Sequence, residues 1–142
     1  MANQVMFLVD SNIWLERLLD QEKSDEVKQF LETVPGTHLA ISDFSLHSIG
    51  VILFHLDKEE LFSKFISDIF LNGNVQLLSL VAMDHLKLIT PERQKLDFDD
   101  AYQHHVSEKY KLQIVTFDND FKKSGLHTLS PFQAIEHHKS NS

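Results

Sequence analysis

Short apolar runs alternate with longer segments of helical periodicity along most of the 142-residue chain. An apolar run of about four to eight residues between polar turns is typical of a buried strand. We therefore predict four strands and a short fifth one, at Val5–Val9, His38–Ile41, Val75–Leu78, Gln113–Phe117 and Leu126–Leu129.

Between these strands, apolar residues recur every three or four positions, which predicts helices. The predicted helices cover Ile13–Leu19, Ser24–Val34, Asp43–Leu56, Lys58–Leu71, Val81–Ile89 and Asp97–Tyr110, and Pro131 opens a last one. The helix over Asp43–Leu56 is apolar on most sides, so we expect it to be buried. Ser42, which precedes it, is a favourable N-cap residue.

Strands separated by helices predict a parallel sheet that is covered on both faces. The expected fold is α/β, a three-layer α/β/α sandwich with a Rossmann-like sheet of four to five strands. The length, the 42% hydrophobic fraction and the 24% charged fraction are typical of one domain, which we assign to residues 1–136. Residues 137–142 (HHKSNS) are expected to form a disordered tail.

Composition excludes several classes of protein. The chain has no cysteine, which excludes disulfide scaffolds, thiolate zinc sites and cysteine nucleophiles. It shows neither a signal peptide nor the roughly 18–20 apolar residues of a membrane-spanning helix, so we expect a cytoplasmic protein that binds no membrane. With 13 basic and 21 acidic residues the net charge is −8, which argues against nucleic-acid binding unless cations neutralise clustered carboxylates.

Polar residues stand at the ends of two predicted strands. Asp10 and Asn12 follow the first strand, Asp118 and Asp120 follow the fourth, and Thr116 lies just before Asp118. Ligands of open α/β sheets bind at the carboxyl ends of the strands. We therefore expect these side chains to meet at one edge of the sheet.

Asp100 is a third candidate, in the first turn of the helix before the fourth strand. Each acid also has an ordinary structural explanation, since Asp is favoured at turns and helix starts, and Asp97 with Asp100 matches a capping box. Together, however, crowded carboxylates repel one another, and Mg²⁺ or Mn²⁺ is a natural partner of oxygen ligands. Such an ion can polarise a phosphodiester and activate a water.

Four stretches of the chain resemble a PIN domain, namely LVDSNIWLE, ISDFSLHSIGVIL, LDFDDAYQHHVSEKYKLQIVTFDNDF and LSPFQAI. They are most similar to the small prokaryotic toxins of virulence-associated toxin–antitoxin pairs, and the resemblance covers residues 5–136. Its most specific part is the Asp-Ala helix start followed by the T-x-D-x-D-F strand end. The resemblance implies an endoribonuclease that uses Mg²⁺ or Mn²⁺ and a metal-activated water, with a cognate antitoxin and a homodimer as expected partners.

The resemblance also assigns roles to residues. It implies Asp10, Asp100 and Asp118 as catalytic acids, and the same three residues with Asp120 as metal ligands. Two further residues, Asn12 and Thr116, match polar positions that support the ligands.

One acid that PIN domains usually have is missing. The family stretch I-S-x-x-x-L-x-E ends here at Ser48, after His47, and no Asp or Glu lies between Asp43 and Asp57. Serine is a weak neutral ligand, and imidazole suits Mn²⁺ better than Mg²⁺. We treat Ser48 and His47 as supporting candidates, although His47 is expected more readily as a packed histidine with a backbone partner.

The sequence also predicts the environment of four further histidines and of one glycine. Within the pairs His104-His105 and His137-His138, neighbouring side chains on a helix point about 100° apart and do not readily share one ion. We expect His105 on the inner face of its helix and the other three in solvent. Gly50 predicts close packing of two helices.

Two functions stay open on these residues. The leading one is a divalent-metal-dependent endoribonuclease of the PIN type, and the alternative is a catalytically weakened or inactive relative that binds RNA or a protein partner. A phosphoacceptor receiver domain, a haloacid-dehalogenase phosphatase and a Walker nucleotide site are disfavoured. The Asp10-x-Asn12 spacing lacks their paired acids, and no G-x-x-x-x-G-K-[ST] stretch occurs.

Overall fold

The structure is a computed structural model that describes residues 4–91, 96–121 and 125–141. Its strands are β1 (Phe7–Val9), β2 (Leu39–Ser42), β3 (Gln76–Leu78) and β4 (Gln113–Val115). Its helices are α1 (Ser11–Leu18), α2 (Ser24–Thr33), α3 (Asp43–His55), α4 (Glu59–Ile66), α5 (Phe98–Tyr110) and α6 (Pro131–Ser140). Two 3₁₀ segments, Gly36–His38 and Ala82–Leu88, and a π-helical turn, Ser67–Asn72, complete the elements.

The four strands form one parallel sheet in the order β3-β2-β1-β4. Side chains of β1 alternate between its faces, so that Phe7 and Val9 join one buried cluster and Leu8 joins another. Phe30 of α2 lies in the first cluster and Val106 of α5 in the second. The predicted three-layer α/β/α sandwich is confirmed.

The strand order places a topological switch point at β1. The chain runs from β1 to β2 on one side and later crosses to β4 on the other side, and ligands of such sheets bind beside the strand where the order reverses. Val9 lies opposite Val115 in the register, and the backbone N–H of Asp10 donates to the carbonyl of Val115 at 3.0 Å. The ends of β1 and β4 therefore lie side by side.

The predicted fifth strand is reduced to a single parallel bridge between Val115 and Leu129. The segment predicted as a helix over Val81–Ile89 is a 3₁₀ helix, Ala82–Leu88. Within the described ranges, no helix is long and apolar enough to cross a membrane.

The expectation that α3 is buried on most sides is wrong. Ile49 and Leu53 are fully buried, whereas Val51 and Phe54 are more than half exposed. The helix packs one face against α1 and α4, and a single chain leaves its other apolar face uncovered. Gly50 faces the ring of Phe62 on α4, and a Cβ there would lie 3.4 Å from that ring, in ordinary van der Waals contact.

The carboxyl-terminal end also differs from the expected disordered tail, because α6 continues through Ser140. The side chain of Ser130 accepts from the N–H of Gln133, whose own side chain accepts from the N–H of Ser130, so the helix starts with a capping box. The ring of His137 packs edge-on against Phe7, with 5.9 Å between centroids. This contact places His137 against the core, whereas Lys139 and Ser140 are exposed.

The histidines are less exposed than predicted. His105 is buried as expected, but His104 is buried too, with its Nε2 3.5 Å from a carboxylate oxygen of Glu108. His137 and His138 are half-buried rather than solvated. Helix α5 is buried continuously from Asp100 to Ser107, so more of its faces are covered than an amphipathic surface helix would show.

Candidate active site

A cavity of about 250 Å³ lies at the carboxyl edge of the sheet, between the ends of β1 and β4 and the starts of α3 and α5. Four acids line it: Asp10, Asp99, Asp100 and Asp118. Polar side chains of Asn12, Ser45, Ser48 and Gln103 line it as well. The cavity is thus the place where the strand-end acids meet.

Asp10 is buried, and it serves as the N-cap of α1. Its Oδ1 accepts hydrogen bonds from the backbone N–H of Ser11 at 2.8 Å and from Nε2 of Gln103 at 3.1 Å. Its Oδ2 accepts one hydrogen bond, from the hydroxyl of Thr116 at 2.8 Å. A carboxylate oxygen has room for about two such bonds, so Oδ2 keeps unused acceptor capacity.

Thr116 and Asn12 connect the two strand ends. The Nδ2 group of Asn12 donates to Thr116 Oγ1 at 3.0 Å, and its Oδ1 accepts from the backbone N–H of Phe117 at 3.1 Å. Thr116 Oγ1 also accepts from the N–H of Asp118 at 3.0 Å. The hydroxyl therefore orients Asp10 and the turn that carries Asp118 through one atom.

Asp100, Asp118 and Asp120 form a tighter group. One carboxylate oxygen from each residue lies within 4.8 Å of the others, a geometry in which they could share a metal ion. The turn is held by the N–H of Asp120, which donates to Asp118 Oδ1 at 2.8 Å. Asp97 occupies the N-cap of α5 without a side-chain hydrogen bond to the helix, so the capping-box explanation for Asp100 fails.

Burial and mutual repulsion disfavour ionisation of the acids in the cavity. Burial, followed by the neighbouring charges of Asp118, Asp10, Asp120 and Asp97, raises the pKa of Asp100 to about 7. Burial also raises the pKa of Asp10, although its hydrogen bonds from Thr116, Ser11 and Gln103 act in the opposite direction. The pocket is therefore costly to ionise in the absence of a cation.

The donor set fits a hard divalent cation. Asp100, Asp118 and Asp120 offer carboxylate oxygens, and Asp10 offers Oδ2 from the adjoining wall of the cavity. Mg²⁺ and Mn²⁺ take oxygen ligands and stabilise neighbouring carboxylates in their ionised form. A cation would thus offset the repulsion that raises the pKa of Asp100.

Ser48 and His47, the two supporting candidates on α3, face different parts of the surface. Ser48 is half-buried and lines the acidic cavity one turn after Ser45. His47 is exposed and lines an apolar groove with Phe54 and Phe62 instead. Adjacent helical residues diverge by about 100°, so His47 is neither packed in the core nor directed toward the acids.

Four polar residues of the cavity were not singled out from the sequence: Ser11, Ser45, Asp99 and Gln103. Gln103 lies three residues after Asp100 on α5, and residues at this spacing share a helix face. That spacing was the available signal. Helix α5 has no apolar stripe from which its buried faces could be inferred, so this spacing was not recognised as part of the site.

The sequence matches the PIN domain family over residues 7–125. The chain belongs to the PIN domain family. This confirms the resemblance found in the sequence. No curated protein was found to match the chain.

Solved structures give the same fold at low identity. A chain from a structure of FitAB bound to an IR36 DNA fragment has a TM-score of 0.74 and 15% identity, covering 89% of this PIN domain chain and 96% of its own. VapC20 of Mycobacterium tuberculosis, described as a toxin that cleaves the sarcin-ricin loop, has a TM-score of 0.70 and 19% identity, over 88% and 99% of the two chains. A chain of a toxin–antitoxin complex from Klebsiella pneumoniae has a TM-score of 0.68 and 19% identity, over 89% and 98%.

Proposed function

We propose that this PIN domain is a divalent-metal-dependent endoribonuclease and the toxin of a toxin–antitoxin pair. The observation that carries the proposal is the group of Asp100, Asp118 and Asp120, whose carboxylate oxygens lie within 4.8 Å of one another beside Asp10. Family membership supports a nuclease. The similar folds of a toxin that cleaves the sarcin-ricin loop and of toxin–antitoxin complexes support the toxin role.

In this proposal Asp10, Asp100, Asp118 and Asp120 hold Mg²⁺ or Mn²⁺. These residues would hold a cation whose chemistry would be to polarise the phosphodiester and to lower the pKa of a water for in-line attack on phosphorus. The chain itself contributes orientation and proton release. Thr116 holds Asp10 through Oδ2, and the carboxyl of Asp100, whose pKa is raised to about 7, gives up its proton as the cation binds.

Neutralised carboxylates also reconcile the acidic chain with an RNA substrate. The net charge of −8 repels a polyanion at long range. A bound cation would offset part of the negative charge of these acids and would offer the phosphate a positively charged ligand. We expect binding of RNA at this cavity to depend on the metal and not on a basic face.

A second candidate function rests on Ser48. A serine stands where PIN domains usually supply an acid, and it lines the cavity with no charge of its own. A weaker metal site would leave a domain that binds RNA or a protein without cleaving. In that case the RNA would be retained intact in the presence of Mn²⁺.

A protein partner is supported by a separate surface. An apolar groove of about 540 Å³ on α3 and α4 is lined by Leu46, Gly50, Val51, Phe54 and Phe62. We infer that an antitoxin or a second copy in a homodimer covers apolar surface of this kind, which a single chain leaves exposed. The cytoplasmic location expected from the sequence belongs to the same proposal.

The test is cleavage of total RNA by the pure protein in Mn²⁺ and in Mg²⁺. We expect cleavage that EDTA abolishes and that Asp10→Asn reduces by about 100-fold or more, because the loss of several kcal/mol of charge stabilisation has that effect on rate. Asp57→Asn is the matched control, since Asp57 is exposed at a positive φ of 59° that asparagine adopts readily.

Intact RNA from a folded sample in both metals would contradict the ribonuclease proposal. A gel-shift assay on the same samples then measures whether RNA is bound. Retained RNA would favour the non-cleaving alternative.

A further inference from the structure

Gln103 is a polar residue at a deeply buried position of α5. Its side chain is only 2% exposed, and glutamine is seldom buried to this degree. It lies on α5 one turn after Asp100 and makes side-chain hydrogen bonds to Asp10, Ser42 and Ser45. These three partners follow β1, end β2 and begin α3, so one amide joins three elements around the acidic cavity.

Ser42 determines which way the amide points. Its hydroxyl oxygen accepts the N–H of Ser45 at 3.0 Å as the N-cap of α3, and its single proton is donated to Oε1 of Gln103 at 2.6 Å. Because Oε1 is taken by this donor, Nε2 faces the other way. It donates to Asp10 Oδ1 at 3.1 Å and to Ser45 Oγ at 2.9 Å.

The amide therefore restricts which oxygen of Asp10 is open. Gln103 and the N–H of Ser11 both donate to Oδ1, whereas among the described residues Oδ2 accepts from Thr116 alone. With these donors on both oxygens, the carboxylate plane has little freedom to rotate. Oδ2 is the atom that keeps unused acceptor capacity.

We propose that Gln103 is a positioning residue for the metal site: it directs Asp10 so that Oδ2 is presented to a divalent cation. The inference rests on the proposed function for the cation and goes beyond it by assigning a role to a residue outside the ligand set. The partners of metal ligands typically affect affinity by about 10- to 100-fold when they are removed. A neutral amide performs this task without adding a charge to the three acids already in the tight group.

The test measures Mn²⁺ binding by electron paramagnetic resonance, together with thermal unfolding of the metal-free protein. Gln103→Met keeps the length of the side chain and removes both hydrogen-bonding groups. Gln103→Leu is a second neutral variant that also removes the donor to Asp10. We expect each variant to bind Mn²⁺ about 10-fold or more weakly than the unmodified chain.

Two controls separate positioning from general loosening of the helix. Gln29→Met makes the same chemical change as Gln103→Met at an exposed position of α2 and should leave Mn²⁺ binding unchanged. Val106→Ala removes a fully buried side chain of α5 without touching the amide, so it lowers stability by packing alone. We expect Val106→Ala to retain its Mn²⁺ affinity within about twofold, in contrast to Gln103→Met.

Equal Mn²⁺ affinity in Gln103→Met and the unmodified chain would overturn the proposal. So would a loss in Val106→Ala as large as that in Gln103→Met, because the effect would then follow stability. If Gln103→Met does not fold, Gln103→Leu decides on the same criteria. Mn²⁺ binding without RNA cleavage by the unmodified chain would contradict only the ribonuclease proposal, whereas no Mn²⁺ binding at all would contradict both.

Discussion

Two buried acids, Asp84 beside α5 and Asp100 within it, lie in opposite electrostatic environments. Asp84 lies near the carboxyl-terminal half of the helix, where Nζ of Lys109 is 2.6 Å and Nε2 of His105 is 3.7 Å from its carboxylate oxygens. The hydrogen bond from Lys109 is the main cause that lowers the pKa of Asp84 to about 2. At the other end of α5, burial and neighbouring acids raise the pKa of Asp100 to about 7.

The two acids differ in whether the described part of the chain supplies a counter-charge. The chain provides its own counter-charge for Asp84, which ties the 3₁₀ segment Ala82–Leu88 to α5. The described residues that act most strongly on Asp100 are acids. Asp100 therefore holds its proton up to about neutral pH, and strongly shifted acids of this kind are typical of functional sites.

The largest effect on stability is expected from Asp100→Asn in metal-free protein. The folded pKa of Asp100 is raised above the unfolded value of 3.8 to about 7, so its ionisation makes the unmodified chain less stable as the pH rises from about 4 to about 7. The amide removes that penalty, and we expect a gain of about 1–3 kcal/mol at pH 8 but little gain at pH 4. Urea unfolding at the two pH values measures it.

The control for this variant is Asp57→Asn, which should change stability by less than about 0.5 kcal/mol at both pH values because Asp57 is exposed. A metal-free Asp100→Asn variant that is less stable than the unmodified chain at pH 8 would show that Asp100 is held by favourable contacts like those of Asp84.

At the opposite end of α5, Lys109→Met should destabilise the fold. The pKa of Asp84 is lowered to about 2 from 3.8, so the stabilisation it provides is present above about pH 4 and is lost as the pH falls through about 2. We expect the unfolding temperature at pH 7 to fall by a few degrees and the difference to shrink at pH 3. RNA cleavage by Lys109→Met should stay within about twofold of that by the unmodified chain. A large loss of cleavage in a folded variant would contradict a purely structural role for Asp84.

A smaller effect is expected when position 48 is given the acid that PIN domains usually have there. Ser48→Glu adds a carboxylate to the cavity wall, which should raise Mg²⁺ affinity about 3- to 10-fold and further lower the stability of the metal-free protein at pH 8. Ser48→Gln has the same size without the charge and is the control. Calorimetric titration with Mg²⁺ compares the three proteins, and equal gains in both variants would mean that charge is not the cause.

Most of the fold could be predicted from the sequence because strands and helices alternate in regular hydrophobic patterns. The apolar run that ends at Val9 and the predicted run Gln113–Phe117 each reveal a buried strand, and Asp10 and Asp118 directly follow these two runs. Strand ends of a parallel sheet meet at one edge, so the meeting of these two acids could also be predicted.

The rest depends on packing that periodicity does not encode. Helix α3 is apolar around its circumference, yet a single chain covers only the face of Ile49 and Leu53. Helix α5 is polar but buried, because Tyr102, Gln103 and His105 find their partners on other elements. Those partners are set by long-range contacts, which is why Gln103 was not predicted as part of the site.

The most direct test of the account is a titration of the protein with Mn²⁺ at pH 6 and pH 8, read by electron paramagnetic resonance. Because Asp100 must lose a proton for the cation to bind, we predict affinity that rises about 10-fold or more from pH 6 to pH 8, and that is abolished by Asp118→Asn but kept in Asp57→Asn. Binding that is independent of pH and equal in the two variants would place Mn²⁺ elsewhere and contradict the assignment of this cavity as the metal site.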